Sequence, residues 1–280
     1  MGADLHLHTT ASDGRLTPTE LVQRAAKAGL KVIAITDHDT VDGIPEALAA
    51  AKAFPSLTVI PGVELSTDVT GGEVHVLGYF IDYHSQLLRE KLALMRDSRE
   101  TRARKMVEKL GKMGMPLRWE RVLELAGEGS IGRPHIAQAM LEAGYIASMK
   151  EAFLLYISRT GPAYVEREKL TPAEAADLVV KVGGLPVLAH PMDISSLEGM
   201  LAELKPAGLV GMEVYYADYG PETVEQLLGI AERWGLIPCG GSDFHGIEGG
   251  AGAEIGSILV PLESAKRLMA LAARPAEARG

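Results

Sequence analysis

Six histidines and three carboxylates recur along this sequence where predicted strands end or meet a loop: His6, His8, Asp13, His38, Glu64, His75, His190, Asp243 and His245. Imidazole and carboxylate together form a donor set that suits divalent manganese, iron and zinc. His6 and His8 flank Leu7 on a predicted strand, and a period of two turns both rings to one side. Asp243 and His245 repeat that spacing. His38 stands between Asp37 and Asp39, which suits a ligand whose ring is oriented by a neighbouring carboxylate. Singly, each group has an ordinary reading. The H-x-H pair passes for two polar strand residues, His38 for part of a solvated turn, Glu64 for a rim ion pair and His75 for a satisfied core histidine. The weight lies in the recurrence. Parallel strands closed into a barrel bring their C-terminal ends to one face, which would gather all nine groups into one pocket.

The elements that must position these groups alternate in type. Residues 3–7, 32–36, 58–64 and 73–80 read as strands, and 18–28 and 44–53 as helices. Thr17-Pro18-Thr19-Glu20 and Thr171-Pro172-Ala173-Glu174 are capping boxes with proline at the first helical position. Residues 85–143 read as helical throughout, with an apolar stripe of Leu88, Leu92, Met95, Met106, Leu110 and Met113. Strands resume at 185–189, 211–215, 237–240 and 255–260. The pattern predicts parallel β/α units in one α/β barrel-like domain, residues 1–89 and 166–280, interrupted by a helical insertion at 90–165.

Bulk properties narrow the function class. No apolar run reaches the roughly 18 residues that span a bilayer, and the first residues lack a basic segment followed by an apolar one. The single cysteine, Cys239, excludes an intramolecular disulfide and fits a reducing cytoplasm. A net charge of -9 argues against a general nucleic-acid-coating protein. Residues 89–112 nonetheless hold nine Lys/Arg against four acids. That run suits either an oligonucleotide backbone or the solvated face of a helix. A cytoplasmic protein without membrane contact or an evident obligate protein partner is the expectation.

Six motifs in order carry a resemblance: HLHTTASDG at 6–14, ITDHDT at 35–40, GVELS at 62–66, EVHVLGY at 73–79, LAHP at 188–191 and GGSDFHG at 240–246. The chain resembles the PHP (polymerase and histidinol phosphatase) superfamily over nearly its whole length. It looks most like the branch with 3′,5′-nucleotide bisphosphate phosphatase and 5′→3′ exoribonuclease activity. The branch pointers are Gly132-Arg133-Pro134-His135 and Pro162-Ala163-Tyr164-Val165. Related members carry a lysine where this chain has Gly161, with Arg159 nearby, so a phosphate contact made there by the family is missing or replaced.

The resemblance implies the PHP fold, a distorted (β/α)7 TIM-like barrel, and two to three divalent ions, manganese or iron first, with zinc compatible. Carried over position by position, His6, His8, Glu64 and Asp243 would hold one ion. Glu64 as a bridge, with His75 and His190, would hold a second. Asp13, His38 and His245 would hold a third. Three ions against three carboxylates leave the cluster at +3, a local attraction for phosphate on an acidic protein. The implied reaction is attack of a metal-bridging hydroxide on a nucleotide or short oligoribonucleotide phosphate, with no covalent intermediate. Arg133 and His135 are the substrate-binding candidates, and His84 reads as surface. Three rivals stand: a histidinol-phosphate or other small phosphomonoester phosphatase, a metal-dependent amidohydrolase, and a non-catalytic PHP interaction module.

Overall fold

The computed structural model describes residues 2–69, 72–127, 131–166, 170–246, 253–258 and 260–275. By internal contacts the chain divides into two compact units, Met1–Arg89 with Lys169–Gly280, and Glu90–Glu168. In the first unit, seven strands lie side by side in chain order: β1 (Ala3–Asp4), β2 (Val32–Ile35), β3 (Thr58–Val69), β4 (Gly72–Tyr79), β5 (Leu185–Leu188), β6 (Gly211–Tyr216) and β7 (Ile237–Gly241). The ends of the sheet meet. Leu5 N donates to Gly240 O at 3.1 Å, and Leu7 pairs in parallel with Phe244. The result is the nearly closed, distorted barrel that the alternating elements predict.

Inside, alternate residues of the strands fill the barrel: Leu5, Ala34, Ile60, Leu77, Leu185 and Val187 lie in one buried cluster. The Tyr79 hydroxyl crosses this interior to donate to Leu5 O at 2.9 Å. The opposite strand faces are covered by helices, among them α1 (Pro18–Lys27) and α2 (Ile44–Ala51). Both predicted capping boxes are formed. Glu20 N donates to Thr17 Oγ1 at 3.2 Å and Thr17 N to Glu20 Oε2 at 2.9 Å; Thr171 and Glu174 repeat the pair at the helix Pro172–Lys181. Each such cap is worth about 1 kcal/mol to its helix.

Two sequence expectations are corrected. β4 is antiparallel to both β3 and β5, not one of a parallel series. Only two residues separate Val69 from Gly72, whereas a parallel crossover needs about a dozen or more. β3 accordingly runs past Glu64 to Val69 as one arm of a hairpin. The strand expected at 255–260 is also absent: among its described residues, only Val260 pairs, in an isolated antiparallel bridge to Ala3. Gly256, at φ +74°, breaks the extended run.

The second unit has its own core. Ala103, Met106 and Leu110 of the long helix Gln86–Lys112 cluster with Val122, Ile136, Met140 and Ile157. Of the basic run, Arg102 is only 5% exposed, so that stretch is not uniformly a solvated face. No described helix is long and apolar enough to cross a membrane.

Candidate active site

The nine nominated groups converge at one end of the barrel. His6 and His8, both fully buried, point to the same side as their spacing requires. His6 Nε2 lies 3.2 Å from Glu64 Oε2 and from Asp243 Oδ1; His8 Nε2 lies 3.2 and 3.1 Å from the same two oxygens. Glu64 is the hub. Its second oxygen faces His75 Nδ1 at 2.7 Å and His190 Nε2 at 3.3 Å, while His38 Nδ1 reaches Oε2 at 3.0 Å. Asp13 lies on the far side of His8, 3.3 Å from His245 Nε2, and the rings of His8 and His245 stack with centroids 4.1 Å apart.

The antiparallel hairpin explains how His75 arrives. Reversing β4 brings its first half to the end of the barrel where the parallel strands finish, and His75 pairs opposite Ser66, two residues beyond Glu64. Glycine permits the closest approaches. A Cβ on Gly241 would lie 2.5 Å from His6 N, and one on Gly14 would collide with the His8 carbonyl. His190 and Asp243 sit at φ +25° and +51°, the left-handed region that L-residues rarely adopt.

The acids beside His38 also hold the surrounding backbone in place. Asp37 accepts from Thr9 N at 2.7 Å, Thr9 Oγ1 at 2.8 Å and Ser12 Oγ at 2.6 Å, fixing the loop that carries Asp13. Asp39 accepts from Ser66 N at 2.9 Å.

The geometry fits divalent ions. His6 Nε2, both ring nitrogens of His8, Asp13 Oδ1, His38 Nδ1, Glu64 Oε2 and Asp243 Oδ1 are buried without a hydrogen-bond partner. Buried polar atoms left so cost about 1–3 kcal/mol each unless something else meets them. They form three overlapping groups: His6, His8, Glu64 and Asp243; His8, Asp13, His38 and His245; and His38, Glu64 and His75, the donors of each lying within 4.8 Å of one another. His190 joins Glu64 and His75 by proximity. Electrostatics agree. Burial opposes charge on Glu64 and Asp243, yet the surrounding imidazoles, His38 foremost for Glu64 and His6 for Asp243, hold both carboxyls well below their usual range. Burial likewise opposes a proton on His8, and the adjacent Asp243 and Glu64 outweigh it, raising its pKa to about 10.

The sequence pattern of the PHP domain matches residues 4–96. The 5′-3′ exoribonuclease Rnm of Salmonella typhimurium is 38% identical over 247 residues, 86% of this chain and 84% of that one. A 3′,5′-nucleoside bisphosphate phosphatase of Chromobacterium violaceum is 33% identical over 263 residues, 90% of each. A solved structure from Bifidobacterium adolescentis, described as a metal-dependent phosphoesterase, superposes with TM-score 0.87 at 33% identity, covering 96% of both chains. The chain belongs to the PHP family. It is a hydrolytic, metal-dependent phosphoesterase of that family, in the branch that the motifs indicated.

Arg133 and His135 open a helix, Arg133–Glu142, in the second unit. The Arg133 guanidinium lies 5.8 Å from the Phe153 ring centre, and His135 Nδ1 accepts from Gly132 N at 3.0 Å. A Cβ on Gly161 would collide with the Tyr156 carbonyl, so the local backbone of this chain leaves no room for a side chain there. Arg159 is paired with Glu166 at 3.0 Å. Cys239 packs in the barrel interior, where burial pushes its thiol pKa up.

Sequence reading missed two residues of the site. Glu213, fully buried, accepts from His6 Nδ1 at 3.0 Å and from His190 N at 2.9 Å. Tyr216 donates its hydroxyl to Asp243 Oδ2 at 2.7 Å. One signal was legible, a lone glutamate within the apolar strand around Met212 and Val214.

Proposed function

We propose that this PHP enzyme removes the 3′-phosphate of nucleoside 3′,5′-bisphosphates and trims short RNA in the 5′→3′ direction. Three divalent ions, manganese or iron before zinc, serve it. His6, His8, Glu64 and Asp243 hold the first; Glu64, His75 and His190 the second; Asp13, His38 and His245 the third. The observation that carries this reading is Glu64, whose two oxygens face five imidazoles from four segments of the chain. Ions bound there supply water activation and neutralise the phosphoryl oxygens.

The chain's own groups do the rest. Asp37 keeps the Asp13 loop in place. The carbonyl of Asp243 accepts from His245 Nδ1 at 2.9 Å, which leaves Nε2 as the ligating nitrogen. Arg133 and His135 meet the phosphate that is not cleaved. The guanidinium fork suits a phosphate dianion. Relatives named for a bisphosphate phosphatase and an exoribonuclease support this substrate class.

The test is an assay with Mn²⁺ on adenosine 3′,5′-bisphosphate, histidinol phosphate and a 5′-phosphorylated RNA oligomer. Release of phosphate from the bisphosphate and of mononucleotides from the RNA is expected. Turnover of histidinol phosphate alone would overturn the substrate assignment.

A further inference from the structure

β6 contributes none of the nine candidate ligands, although it lies between β5 and β7, whose ends carry His190, Asp243 and His245. Two of its side chains nevertheless reach the cluster. Regular alternation would put Glu213 and Tyr215 on one face and Tyr216 on the other. A bulge changes this. The pairing with β7 shifts from Glu213 opposite Cys239 to Tyr215 opposite Gly240, so β6 gains one residue between them. That residue, Val214, packs outward against the helices. Glu213 and Tyr216, three apart, are thereby both aimed at the site; bulges beside active sites commonly re-aim a side chain in this way.

Each then holds ligands that other strands supply. Glu213 Oε1 accepts the Nδ1 proton of His6, which fixes the tautomer and turns Nε2 toward Glu64 and Asp243. Its Oε2 accepts from the backbone N–H of His190, a residue in the left-handed region. One carboxylate therefore braces a ligand of the first ion and a ligand of the second. Tyr216 takes Asp243 Oδ2 and leaves Oδ1 facing His6 and His8. We propose that Glu213 and Tyr216 are positioning residues for the ion cluster, and that β6 is the strand that sets ligands rather than supplying them. This rests on the ion sites proposed above. Glutamine at 213 keeps only one of the two contacts, because its amide nitrogen would meet a donor at the other.

The experiment is a Mn²⁺ titration of the metal-stripped full chain, with free Mn²⁺ read by electron paramagnetic resonance. It compares wild type, Glu213→Gln, Tyr216→Phe, His6→Ala and the double variant His6→Ala/Glu213→Gln, with melting curves of each stripped protein. Glu213→Gln is expected to weaken Mn²⁺ binding roughly 10- to 100-fold, the range for groups that orient metal ligands. Tyr216→Phe, at a half-buried position that keeps its ring, should weaken it by a smaller factor. Adding Glu213→Gln to His6→Ala should change binding much less than it does in wild type. Wild-type affinity and stoichiometry in both single variants, whatever their melting points, would overturn the positioning role. A wild-type chain that binds no Mn²⁺ would instead bring down the ion-site reading, and this proposal with it.

Discussion

Asp4 and Ser242 are joined twice: the Ser242 amide donates to Oδ1 at 2.9 Å and its hydroxyl to Oδ2 at 2.7 Å. Gly256 N adds a third bond at 3.1 Å. Asp4 belongs to β1 and Ser242 follows β7, so this clamp sits where the barrel closes, two residues before His6 and one before Asp243. Asp4→Ala leaves buried donors without their carboxylate. It should cost about 3 kcal/mol and lower the melting midpoint by roughly 6–12 °C. Urea unfolding of the metal-stripped chain checks this; a loss under about 0.5 kcal/mol contradicts a structural clamp.

Glu64 serves more than one group of candidate ligands, so its loss should release more than one ion. Glu64→Ala should bind at least one Mn²⁺ fewer than His75→Ala by elemental analysis. Its kcat should fall on the order of a thousandfold or more, the equivalent of several kcal/mol of lost metal assistance. His38→Ala should also abolish turnover, and a nearly active variant would contradict the third ion.

At neutral pH the ion-free site holds a proton on His8, because Asp243 and Glu64 raise its pKa to about 10. Metal must displace that proton. Calorimetry at pH 7 in buffers of different ionisation enthalpy should therefore show net proton release. Mn²⁺ affinity should rise about tenfold per pH unit for each proton released, and affinity flat between about pH 6 and 8 would refute the assignment. In the ion-free chain the same raised pKa stabilises the fold fully below 6.5, and that contribution is lost as pH rises through about 10.

Arg133→Ala should raise KM for adenosine 3′,5′-bisphosphate roughly 10- to 100-fold, the worth of a charged hydrogen bond. A simple phosphomonoester should be nearly unaffected. Equal changes for both substrates would remove Arg133 from the reading of the second phosphate.

The candidate site was legible because its polar groups interrupt or directly follow apolar stretches, and His6 and His8, either side of the bridge residue Leu7, reach the same two oxygens. The capping boxes at Thr17 and Thr171 were legible for the same local reason. Direction was not local. Nothing within 73–80 says which way that strand runs; the two-residue link after Val69 decides it. The roles of Asp37 and Glu213 were hidden because both depend on partners 25 to 28 and 207 residues away in sequence. Tyr216 was hidden by the bulge, since alternation counted from the sequence turns it away from the site.

His190 and Asp243 carry a conflict between folding and chemistry in their own backbones. Each holds a left-handed φ that costs a non-glycine residue about 1–3 kcal/mol. At most positions a change to glycine loosens a protein. Here His190→Gly and Asp243→Gly should make the metal-stripped chain at least as stable as the corresponding alanine variants, while turnover is lost in all four. If the alanine variants prove clearly more stable, the strain is not there. As the ligands proposed above, both residues would give up backbone ease for a side chain that an ion needs.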